Sequence, residues 1–112
     1  MSENLDNNGL RSIAENYDIF YIDLWGVVHN GVLLHREAIR VLEELSKINK
    51  EYVLLTNAPR PNSAVNEFLE KMGLEKNIRE HIFTSGEAAL NYLKNNFSTQ
   101  KFYHIGPPRD FD

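Results

Sequence analysis

Apolar residues along this chain fall into blocks of two kinds. Ile19-Phe20-Tyr21-Ile22 and Tyr52-Val53-Leu54-Leu55 are unbroken runs of β-branched, aliphatic and aromatic side chains. Such runs suit strands covered on both faces of a sheet. They predict strands over residues 18–23 and 52–56. Between them, Ala38, Val41, Leu42, Leu45 and Ile48 recur three and four residues apart, with Arg40, Glu43, Glu44 and Lys47 on the other side. That stripe predicts an amphipathic helix over residues 36–48.

The alternation then repeats. Asn57-Ala58-Pro59-Arg60-Pro61 interrupts the chain, because each proline disfavours helix in the residue before it. Asn62 or Ser63 is expected to cap a second helix bearing Val65, Phe68, Leu69 and Met72 on one side, with Gly73 just past its end. Ile82-Phe83 reads as a short third strand. Thr84-Ser85-Gly86-Glu87 fits a capping box that opens a helix through Leu90 and Leu93. Residues 101–105 read as a fourth strand, stopped by Gly106-Pro107-Pro108. A short helix is expected over residues 10–15. Asn30-Gly31 marks a tight turn, and the valines and leucines beside it predict a small hairpin flap.

Strands alternating with helices imply crossover connections and a parallel sheet, hence an α/β fold. Residues 1–9 are expected to be a disordered tail, and residues 10–112 the folded part. A chain of 112 residues holds one domain at most.

Composition narrows the function classes. The net charge is −4 and no Lys/Arg stripe appears, which argues against nucleic acid as a partner. With no cysteine, disulfides, zinc-thiolate sites and thiol nucleophiles are excluded. No apolar stretch nears the roughly 20 residues that span a bilayer, and the polar N-terminus lacks the features of a secretion signal. No membrane partner is expected, and a cytoplasmic location is.

Two residues invite chemistry. Asp23 ends the first predicted strand and Thr56 the second. In open α/β sheets, ligands sit beyond the carboxyl ends of the strands. If the strands are neighbours, a carboxylate meets a hydroxyl, with Asn57 and backbone N–H groups close by. That constellation suits phosphate: Asp23 attacks phosphorus, while Thr56 and the N–H groups hold its oxygens. Taken singly, Asp23 also reads as a turn residue and Thr56 as an ordinary strand residue. Arg60 reads as a solvated loop charge or a phosphate contact, and Ser85 and Gly86 as helix-start residues. His35, His81 and His104 show no metal-ligand spacing.

The stretch from Ile22 to Gly31 (Ile-Asp-Leu-Trp-Gly-Val-Val-His-Asn-Gly) resembles the first motif of the haloacid dehalogenase superfamily. Leu54-Leu55-Thr56-Asn57 resembles its second motif. Phe83 to Ala88 and Tyr103 to Pro108 are similar to its class IIA members, the nucleotide- and 4-nitrophenyl-phosphatase-like enzymes. The resemblance covers nearly all of residues 18–108. It implies a Rossmann-like three-layer core and hydrolysis of small phosphorylated metabolites through an aspartyl-phosphate on Asp23. Thr56 and Asn57 would bind the phosphoryl group, and Mg²⁺ would sit on the Asp23 carboxylate and the Trp25 backbone carbonyl.

The chain departs from that pattern in two places. Trp25 stands where such phosphatases carry a second Asp, and indole exchanges no proton at neutral pH. His29 is the candidate substitute, since an imidazole titrates in the useful range; alternatively it is a flap histidine bonded to its own turn. The family's Lys motif, acidic metal motif and cap domain lie beyond this stretch, and Lys101, Asp110 and Asp112 do not match them by position. The resemblance therefore implies an incomplete core, inactive alone, whose first strand becomes an exposed edge. The expected partner is a separately encoded second half or another copy of the chain. The alternatives are a non-catalytic truncated or split-gene remnant and, less well matched, a receiver-type phospho-acceptor domain.

Overall fold

A computed structural model of the chain describes residues 5–108. Two 3-10 turns, Leu10–Ser12 and Ala14–Asn16, lead into β1 (Ile19–Asp23). There follow α1 (Arg36–Lys47), β2 (Glu51–Thr56), α2 (Asn62–Lys71), α3 (Lys76–Arg79), β3 (Ile82–Thr84) and α4 (Ser85–Asn96). The three strands form one parallel sheet in the order β1-β2-β3. Ile19 lies opposite Glu51 and Asp23 opposite Leu55 in the first pair; Leu54 lies opposite Ile82 in the second.

Strand alternation divides the sheet sharply. Phe20, Ile22, Tyr52, Leu54, Ile82 and Thr84 point to one face, where Leu42 and Leu45 of α1 and Leu69 of α2 complete the core with Leu24, Val28, Leu74 and Ile78. The helix stripes read from the sequence are the ones that pack here. Gly73 follows the end of α2 with φ 92°, a left-handed turn that favours glycine. It lets the N–H of Leu74 return to the Leu69 carbonyl at 3.0 Å.

The other face is bare. Ile19, Tyr21, Leu55 and Phe83 are exposed on it, Tyr21 at 71%. This corrects the expectation that the first two strands are covered on both faces, since among the described residues no helix packs on the second face; the place of β1 at the sheet edge is as expected.

The predicted fourth strand is also corrected. Residues 101–105 form no strand, and Phe102, Tyr103 and Ile105 are exposed. A strand needs a neighbour for its backbone groups, and β3, only three residues long, offers few. Helix α2 begins differently from expectation as well, with Pro61 at the N-cap and Asn62 already helical. Helix α3 was not foreseen. Its signal was the pair Leu74 and Ile78, four residues apart and both buried. Arg109, Asp110 and Asp112 lie outside the described residues, as do residues 1–4 of the expected tail; residues 5–9 close a turn, with the N–H of Gly9 bonded to the Leu5 carbonyl at 2.8 Å.

Candidate functional site

Asp23 and Thr56 end adjacent parallel strands at the same carboxyl edge of the sheet. Thr56 lies one residue beyond Leu55, the register partner of Asp23. Strand spacing and rise put their Cα atoms roughly 6 Å apart. Alternation starts the two side chains on opposite faces, Asp23 exposed and Thr56 buried, which corrects the expectation that neighbouring strands bring the carboxylate and the hydroxyl together on a shared side.

The chain coils at once after Asp23. One carboxylate oxygen, Oδ1, accepts the N–H of Leu24 at 2.9 Å. The carbonyl of Leu24 accepts from Val27, Val28 and His29 at 3.2, 2.8 and 3.1 Å. Gly26, at φ 83°, makes this turn possible and donates its N–H to the His29 carbonyl at 2.7 Å. Among the described residues no backbone N–H reaches the Trp25 carbonyl, so that oxygen keeps its lone pairs.

The turn after Thr56 is pinned from the start of α4. The Thr56 hydroxyl accepts the N–H of Ala58 at 3.3 Å, and its carbonyl accepts the Ser85 hydroxyl at 3.4 Å. Gly86 donates to the Ala58 carbonyl at 3.1 Å. The fully buried Thr84 hydroxyl donates to the Arg60 carbonyl at 2.6 Å and accepts from the N–H of Glu87 at 2.9 Å. Half of the predicted capping box is therefore present. The other half is exchanged. The Glu87 carboxylate accepts the N–H of Asn62 at 3.0 Å, and the Asn62 side-chain oxygen accepts the N–H of Thr84 at 2.9 Å. These bonds explain why Asn62 is no cap: its amide ties α2 to the end of β3. Asn57 is left exposed at the tip.

His29 is buried, at 5% exposure. Its Nδ1 accepts the N–H of Gly31 at 3.0 Å, which assigns the ring proton to Nε2. The ring meets Trp25 and Phe68 edge-on, at centroid separations of 5.4 and 5.7 Å. Burial lowers its pKa below the usual imidazole value; His35 pushes the same way and Asp23 opposes. This is the geometry of the alternative reading, a histidine bonded to its own turn. The flap itself is a single antiparallel bridge, His29 to Leu34, closed by Asn30, whose side-chain oxygen accepts from Val32 and Leu33.

His81 serves packing: it stacks on Tyr52 and bonds the Tyr52 carbonyl at 3.0 Å. Among the described residues, no three His, Asp or Glu side chains converge as a metal cluster, and no helix is long and apolar enough to cross a membrane. The residues that sequence reasoning missed are the positioning set, Thr84, Asn62 and Glu87. Only the capping-box pattern hinted at them.

The sequence profile of the haloacid dehalogenase-like hydrolases matches residues 20–111. A haloacid dehalogenase-like hydrolase from Brucella suis is 30% identical, with a TM-score of 0.77 over 90% of this chain and 36% of its own. A protein described as a putative nagD protein is 25% identical, with a TM-score of 0.60 over 71% of this chain and 32% of its own. A 4-nitrophenylphosphatase from Thermotoga maritima shares the fold, with a TM-score of 0.62 over 76% of this chain and 33% of its own, at 23% identity. The chain thus spans about a third of the length of these solved relatives. No curated protein matches it.

Proposed function

Because this chain belongs to the haloacid dehalogenase-like hydrolase family, we propose that its sheet edge binds and transfers the phosphoryl group of small phosphate monoesters. One observation carries the reading. An exposed carboxylate, Asp23, ends β1 next to β2, whose end carries the Thr56–Ala58 turn.

In this reading Asp23 is the nucleophile. Oδ1 is steadied by the Leu24 N–H, which leaves the second oxygen to attack phosphorus. The bond from phosphorus to the ester oxygen breaks as the aspartyl bond forms, and water later cleaves that acyl phosphate. The exposed Asn57 holds non-bridging oxygens, and the buried Thr56 shapes the turn that carries it. His29 acts by fixing the flap, since its Nδ1 is already engaged. The donor set near Asp23 is hard oxygen, which fits Mg²⁺ held by one carboxylate, the Trp25 carbonyl, water and substrate. When bound, the ion neutralises charge between two anions that otherwise repel.

A parallel sheet is ordinarily covered on both faces. The bare face of Tyr21, Leu55 and Phe83, with the free edge of β1, fits further protein, whether a second polypeptide segment or a second copy. From Leu24 to Leu34 the single ionisable side chain is His29. That scarcity favours a second reading, a chain that holds phosphate and turns over only when completed.

Release of 4-nitrophenol from 4-nitrophenyl phosphate in magnesium buffer tests the proposal. The chain should release it and Asp23→Asn should not. Equal rates in both would refute the assignment of Asp23. Phosphate binding with no release would favour the second reading.

A further inference from the structure

Asn30 and Gly31 close the flap, and phosphoryl transfer makes no use of the Asn30 amide. Several contacts converge on it. Its side-chain oxygen, Oδ1, accepts the N–H of Val32 at 3.0 Å and the N–H of Leu33 at 2.8 Å. The next residue is glycine, at φ 89°, with no side chain to hinder approach to its nitrogen. That nitrogen is held in place, since its N–H donates to His29 Nδ1 at 3.0 Å. The Asn30 N–H donates in turn to the Leu33 carbonyl at 3.1 Å. Asn30 is exposed, so water reaches the amide.

Two donors on one amide oxygen do more than close a turn. When the Gly31 nitrogen attacks the side-chain carbon of Asn30, Cγ, the negative charge of the tetrahedral intermediate falls on Oδ1. The N–H groups of Val32 and Leu33 already point there, at the distances of an oxyanion hole. Nucleophile and electrophile belong to neighbouring residues, so the attack costs no encounter.

We infer that Asn30-Gly31 is a self-modification site, at which the asparagine amide becomes a cyclic imide and then an aspartate or isoaspartate. The bond from the Gly31 nitrogen to Cγ forms and the bond from Cγ to Nδ2 breaks. The proton lost by Gly31 leaves with the departing ammonia. Water then opens the ring at either carbonyl and leaves a carboxylate. Ring closure removes the Gly31 N–H, and with it the bond to His29. Opening to isoaspartate lengthens the backbone between residues 30 and 31. Gly31 is then drawn from beneath Trp25, whose ring lies so close that a Cβ on the glycine would fall 2.1 Å from Cζ3. The flap is released irreversibly. None of these steps involves the phosphate site.

The chain carries its own control. Asn8-Gly9 is the same residue pair, but the Gly9 N–H is bonded to the Leu5 carbonyl at 2.8 Å. Among the described residues no N–H reaches the Asn8 side chain. The full-length chain would be aged in neutral buffer, with and without urea, and then cut with trypsin. Cleavage after Arg11 and Arg36 puts the two asparagines in separate peptides. Mass spectrometry reads the change from amide to acid in each, and fragment ions distinguish Asn30 from Asn16. One oxyanion donor is ordinarily worth about 10²–10³ in rate, so native Asn30 should convert at least about tenfold faster than Asn8. In urea the two should convert at equal rates. Emission of Trp25, the only tryptophan, should change in step with conversion at Asn30. Conversion of Asn30 no faster than Asn8 in the native chain, or at one rate folded and unfolded, would overturn the inference. Full conversion with unchanged emission would overturn the release of the flap.

Discussion

The placement of the Thr56–Arg60 turn depends on one buried hydroxyl, and Thr84→Val tests that dependence. Valine keeps the shape of threonine and fits a strand end. It removes both the donor to the Arg60 carbonyl, now at 2.6 Å, and the acceptor for the Glu87 N–H, now at 2.9 Å. Losing an N-cap acceptor costs about 1 kcal/mol. Leaving the half-buried Arg60 carbonyl without its partner costs up to about 1–3 kcal/mol more. The two losses arise at different atoms, so the expected destabilisation is about 2–4 kcal/mol. That is a large part of the 5–15 kcal/mol typical of a domain. In urea, with a slope near 1.5 kcal/mol per molar, the midpoint should fall by roughly 1–3 M. Far-UV circular dichroism would follow unfolding, and Thr84→Ser should restore most of the loss by restoring the hydroxyl. A valine variant within about 0.5 kcal/mol of the parent would show that this junction does not hold the turn.

Other outcomes follow from the same structure. Gly86→Ala places a Cβ 2.4 Å from the Pro59 carbonyl oxygen and 2.5 Å from the Arg60 carbonyl; these are backbone atoms, so it should cost about 1–3 kcal/mol in the same denaturation assay. His29 has a folded pKa below its unfolded value, so the unfolded chain takes up the proton first as pH falls. Its contribution to stability is complete above about pH 6.5 and declines below that, toward its own lowered value. His29→Asn keeps an acceptor for Gly31, and a stability profile against pH should show a shallower slope in that window. Tyr21→Lys puts a charge on the bare sheet face; sedimentation should show less self-association than in the parent chain, and unchanged association would exclude that face as the contact.

Much of the fold was legible because burial leaves a period in the sequence. Leu42 and Leu45 of α1 and Leu69 of α2 carry stripes that only one packing satisfies. Gly73 and Thr84 carry local backbone chemistry, and both stand where their residue types require. The two strand errors share one cause. The runs at residues 19–22 and 102–105 are apolar enough for a covered strand, but coverage comes from neighbours that a strand does not encode. Ile19 and Tyr21 therefore face water, and Phe102, Tyr103 and Ile105 stand exposed outside any strand. The site was legible as two residue types at two strand ends. The support beneath it was not, because Asn62 and Glu87 are 25 residues apart and their bond forms only in the fold.

The central claim is that phosphate binds where the ends of β1 and β2 meet. Backbone-amide NMR during a titration with inorganic phosphate in magnesium buffer addresses it most directly. The account predicts shifts confined to residues 23–26 and 56–60, saturating together and weakened in Thr56→Val. Shifts centred elsewhere, or none at saturating phosphate, would contradict it.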